Sequence, residues 1–131
     1  MHEPRDDATR RLAARWAELD EGALVERLGV AHALADLQDD PRDELRWDLR
    51  ALALADRLTD ADLAAAGMSV STEALYPSLH LNAGEAYRKA GDLDGARRHL
   101  VLGRAALAAL GADPYGGMLT DDFTRLEARI G

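Results

Sequence analysis

The chain has 131 residues, 24 acidic against 16 basic side chains, a net charge of −8 and no cysteine. That balance opposes phosphate neutralisation, so neither nucleic acid nor an anionic membrane is expected as a partner, and the missing thiols exclude disulfides, thiolate metal sites and cysteine nucleophiles. Ala and Leu dominate while Val and Ile together number five, which predicts an all-α fold forming one domain over 1–131.

The first expected helix covers 7–19, with Leu12, Trp16 and Leu19 on one face. A second covers 21–37, striped by Leu24, Leu28, Ala31 and Ala35. Asp39-Asp40-Pro41 then breaks the chain, with Asp40 as a cap and Pro41 opening a third helix over 41–58. That helix is apolar on two sides, Leu45, Leu49 and Leu52 on one and Trp47, Leu54 and Leu58 on the other. Such width is the mark of a helix packed between two neighbours. A short extra turn is expected at 59–66 and a loop at 67–71.

The fourth expected helix covers 73–90, with Thr72 as its N-cap and Pro77 either starting or kinking it. Gly91-Asp92 makes a turn into a fifth helix over 92–110, whose broad apolar surface carries Leu93, Ala96, Leu100, Gly103 and Leu107. After a loop at 111–117, a final helix over 118–130 aligns Leu119, Phe123, Leu126 and Ile130 on one face. It reads as a closing helix over the preceding hairpin.

Residues 77–110 span 34 positions and carry Gly84 for close approach of the two helices, Tyr87 as the large residue between them, Gly91-Asp92 at the turn, Ala96 as the small packing residue and Leu100 one turn on. This stretch resembles a tetratricopeptide repeat, a helical hairpin of the same period. Gly103 stands where the repeat usually has Ala, and His80 where Trp is common. A degenerate copy is expected over 20–58, with Leu28-Gly29 and His32 imitating Ala83-Gly84 and Tyr87. The resemblance implies a short right-handed array of antiparallel hairpins, about six helices in all, because such repeats bury a core only by stacking.

The resemblance also implies a function. In that family the first helix of each hairpin lines a concave groove that takes an extended or helical peptide. Carried onto this chain, the groove residues are Ser78, Leu81, Asn82, Glu85, Arg88 and Lys89, joined from the degenerate copy by Arg27 and by Ala23, Val30 and Leu34. Asn82 can pair with a peptide backbone, and Arg27 or Arg88 with a carboxylate. The plainer reading is that Asn82 braces a neighbouring helix and that Arg88-Lys89 is solvated surface. Ser78 and Ala23 occupy places where a carboxylate-binding groove would have Lys.

Chemistry finds little footing in the sequence. His32, His80 and His99 fall on different expected helices, with no paired ligand at helical spacing, so structural roles are expected rather than a metal. Ser69, Ser71 and Ser78 lack a nucleophile elbow, and no glycine-rich phosphate fingerprint is present. Neither catalysis nor a cofactor is expected. No apolar run suits a membrane span or a secretory signal, so the cytoplasm is expected, and fifteen Arg against one Lys suggests a GC-rich bacterial source.

The leading expectation is a protein-interaction module with a protein or peptide partner. A structural or self-associating helical domain, a homodimer without a peptide ligand, is the alternative, resting on apolar surface left over on the third, fifth or last helix, with Trp47 and Phe123 as its marks. A small-molecule binder or enzyme using the space between hairpins, with His80 or Tyr87 as polar handles, is the third.

Overall fold

The computed structural model describes residues 3–110 and 116–131, all-helical with no strand among them. Seven α-helices run in order: α1 (Glu3–Glu18), α2 (Leu24–Asp36), α3 (Pro41–Ala55), α4 (Asp60–Ala65), α5 (Tyr76–Lys89), α6 (Leu93–Leu110) and α7 (Gly116–Ile130), with a 3₁₀ turn over Thr72–Leu75. The expected loop at 111–117 lies mostly outside the described residues, and α7 begins two residues earlier than its apolar stripe suggested.

Local chemistry explains the boundaries. The Asp40 carboxylate accepts from the backbone N–H of Arg42 at 2.8 Å, and Pro41 follows it at the start of α3. At α4, Thr59 and Asp62 exchange side-chain-to-backbone bonds in a capping box, which turns the expected extra turn into a true helix. The expected cap at Thr72 moves to Ser71, whose hydroxyl accepts from Ala74 N–H. Thr72 instead donates from both its backbone and its hydroxyl to the Asp60 carboxylate, tying the turn to α4. Pro77 sits in the first turn of α5, where its missing N–H has no helical partner to lose. At the next corner Gly91 takes φ 89°, and Asp92 accepts from Gly95 N–H at 2.8 Å, so α6 starts on the spot.

Two antiparallel hairpins result, α2 against α3 and α5 against α6. Packing of α3 on α5 joins them, α1 covers α2, and α7 covers α6 and α5. Alanines make the seam between hairpins: Ala31, Ala51, Ala55 and Ala83 are fully or almost fully buried there, together with Leu52, Leu54 and Leu79. Small side chains let the helix axes approach, and the leucines supply the apolar area that drives burial, roughly 1.5–3 kcal/mol each. α7 works as a closing helix. Its Phe123 and Leu126 are completely buried against Ala96 and Leu100, with Ile130 beside them.

Glycines set how closely these helices meet. A Cβ on Gly84 would lie 2.9 Å from Leu126 Cδ2 and 3.5 Å from the Ala96 carbonyl oxygen, so the closest approach at Gly84 is to α7 rather than to its hairpin partner. Gly95 on α6 receives the Tyr87 ring, whose Cδ1 a Cβ would approach to 2.5 Å. Gly103 is the seat of Phe123: a Cβ there would lie 2.5 Å from two of its ring carbons. The departure from Ala at this position is therefore required by the closing helix.

Candidate binding face on the second hairpin

Helical spacing puts Ser78, Asn82, Glu85 and Lys89 on one stripe of α5, with Leu81 and Arg88 alongside. Ser78 is exposed and donates to the Leu75 carbonyl at 3.3 Å. Leu81 packs against the core under α7. Asn82 is half-buried, and its amide takes part in no side-chain hydrogen bond among the described residues, so it braces no neighbouring helix there.

Charged neighbours on the stripe are fixed in place. The Glu85 carboxylate accepts from Arg88 through Nε at 3.3 Å and Nη2 at 3.0 Å, and from Arg129 of α7 at 2.9 Å. Burial alone would raise its pKa, but the two guanidiniums outweigh burial and hold the carboxyl below its usual range. Lys89 donates from Nζ to Glu44 of α3 at 2.8 Å, linking the two hairpins. Arg88 and Lys89 are thus engaged cations rather than loose surface.

Beneath Lys89 lies Asp48, 3 % exposed on α3. Burial pushes its pKa up to about 7, Glu44 and Asp36 push the same way, and Lys89 pulls back. A carboxyl this deep is neutral over much of the acid range.

Arg27 stands apart from the α5 residues. Its guanidinium lies 4.0 Å over the Trp16 ring and donates to the Leu19 carbonyl at 3.4 Å, among α1, α2 and α3. Its Nε is cut off from solvent and has no hydrogen-bond partner among the described residues. Val30 and Leu34 are buried and serve the core, so they do not line an open groove. Ala23 is half-buried at a shallow hollow beside α4.

Sequence spacing missed a feature that the hairpin creates. His80 of α5 and His99 of α6 meet at 3.0 Å between their Nδ1 atoms. Tyr76 stacks on the outer side of His80 at 5.9 Å, and Tyr87 on His99 at 5.2 Å, so four rings form one column. Burial lowers the pKa of His80, opposed by Asp56. Burial, then His80, then Arg98 bring His99 down to about 4. Both rings are neutral at physiological pH, one donating through Nδ1–H and the other accepting. At the head of the column the Tyr76 hydroxyl donates to Asp56 at 2.6 Å, and burial together with that bond pushes it up to about 12.

The signal for this pair was present. His99 lies between Ala96 and Gly103 on the inner stripe of α6, and His80 lies one turn before Gly84 on α5. The pair is made across two helices, so the spacing of residues within either one does not show it. A cavity of ≈ 240 Å³ opens beside the column, lined by Glu73, Tyr76, His80, Ala106 and Ala109. Among the described residues no group of three or more His, Asp or Glu side chains could hold a metal ion, and no helix is long and apolar enough to cross a membrane. No protein family, curated protein or solved structure matches the chain.

Proposed function

We propose that the chain is a protein-interaction module of the tetratricopeptide kind, which receives an extended or helical peptide along the outward stripe of α5. The observation that carries this reading is Asn82. It is a half-buried amide with two donors and an acceptor, unengaged among the described residues, on the same stripe as the braced Glu85 and Lys89. A side chain so placed can pair with a peptide backbone without first breaking a bond within the fold. Arg88 and Arg129, held around Glu85, supply positive charge beside it for an acidic residue of the peptide. Self-association through Phe123 is not favoured, because that ring is completely buried within one chain. Trp47 is half-buried and already occupied by Trp16 and Arg50.

Peptides selected from a displayed random library, followed by amide chemical-shift mapping, test the reading. The expected result is shifts centred on 78–89 and a roughly tenfold affinity loss in Asn82→Ala, the worth of one good hydrogen bond. Selected peptides that bind Asn82→Ala and Arg88→Glu as tightly as the parent would defeat it.

A further inference from the structure

The chain as a whole is acidic, yet one wall of the first hairpin is not. Of fifteen arginines, nine reach a carboxylate among the described residues. Of the six that reach none there, three converge on a single cavity of ≈ 240 Å³: Arg27 from α2, Arg50 from α3 and Arg57 from the turn that follows α3. Trp16, Ala53 and Leu54 complete its lining, and no Asp or Glu belongs to it.

Three unneutralised guanidiniums around one hollow repel one another, and the sequence had carboxylates to spare for them. Two of the three also lie over indole rings. Arg27 has its guanidinium carbon 4.0 Å over the Trp16 ring and Arg50 4.4 Å over Trp47, while the two indoles meet edge to face at 5.0 Å. A guanidinium over an indole keeps its edge N–H donors for a planar oxyanion. On Arg27, whose Nη1 donates to the Leu19 carbonyl and whose Nε is cut off from solvent, Nη2 is left. Arg50 has no hydrogen-bond partner among the described residues. The floor of the hollow is apolar, with Leu54 buried and Ala53 open to it. The volume is below the roughly 300–1,000 Å³ of sites that enclose drug-sized molecules. It suits a body about the size of one ring.

We propose that this cavity binds a small organic acid, its carboxylate or phosphate held by Arg27, Arg50 and Arg57 and its apolar body laid against Trp16, Ala53 and Leu54. The site is separate from the α5 stripe and independent of peptide binding there. Cationic donors beside an aromatic and apolar wall favour an acid that carries a ring over a bare inorganic anion.

Isothermal titration calorimetry with phenyl phosphate and benzoate, with inorganic phosphate and benzylamine as comparisons, tests the assignment. Saturable binding of at least one of the two ring acids is expected, with a Kd below about 1 mM. Weaker binding is expected of inorganic phosphate and none of benzylamine. Arg57→Gln, which leaves both Trp-stacked arginines in place, is expected to weaken the acid roughly tenfold with an unchanged helical circular dichroism spectrum. No saturable binding of either acid, equal binding of benzylamine, or affinity unchanged in both Arg57→Gln and Arg50→Gln would overturn the proposal.

Discussion

His80 and His99 face each other through the same ring atom, Nδ1 to Nδ1, at 3.0 Å. Only one can carry a proton there, and charging both would set two N–H groups and two positive rings against each other. His99 is therefore expected to stay neutral down to about pH 4, and His80 to titrate below its ordinary value. Following the histidine Hε1 resonances from pH 8 to pH 4 checks this. A His99 midpoint at or above 6.5 would refute the pairing.

Asp48 acts on stability with the opposite sign. Its pKa rises from 3.8 to about 7 on folding, so the folded chain holds a proton that the unfolded chain releases, and this contribution is lost as pH rises from about 4 through 7. His99 falls from 6.5 to about 4, so its contribution is lost as pH falls from about 6.5 toward 4. The two nearly cancel between pH 4 and 7. Asp48→Asn keeps the shape without the ionisation, and is expected to raise Tm at pH 8 by at least about 5 °C. It should do little at pH 4, and between those limits it should uncover the acid-side loss due to the histidines. Thermal melts of parent and variant from pH 4 to 8 measure both effects, and a variant no more stable than the parent at pH 8 would contradict the account.

Gly103 and Phe123 form a matched pair. In Gly103→Ala the new methyl would meet the Phe123 ring at 2.5 Å and His80 Cβ at 3.1 Å, more overlap than a packed core absorbs. The expected loss is about 1–3 kcal/mol by urea denaturation. Phe123→Leu alone should also destabilise, while adding it to Gly103→Ala should recover part of the loss. Strict additivity of the two changes would show that α7 does not seat on this glycine.

Periodicity and punctuation made the architecture legible. Asp40-Pro41, Gly91-Asp92 and the Phe123 stripe each mark a feature found in the structure, because caps, turns and one-sided helices are written in neighbouring residues. The third helix ends at Ala55 rather than near Leu58, although Leu58 is buried in the turn that follows. What local spacing cannot hold is contact across helices. His80 with His99, Asp48 under Lys89, and Arg27 with Arg50 and Arg57 each join residues at least 19 positions apart or on different hairpin arms. The same limit misplaced Val30 and Leu34 on a groove, since their burial depends on neighbours that the stripe of α2 alone does not name.

Lys89 is the only lysine of the chain, and its amine rests on Glu44 across the seam between hairpins. The molecule therefore presents a single side-chain address to amine-directed chemistry, beside the α-amine. A fluorophore or acyl group attached there is stoichiometric by composition. It also reports on its own effect, since the acylated nitrogen can no longer carry the charge that ties α5 to α3.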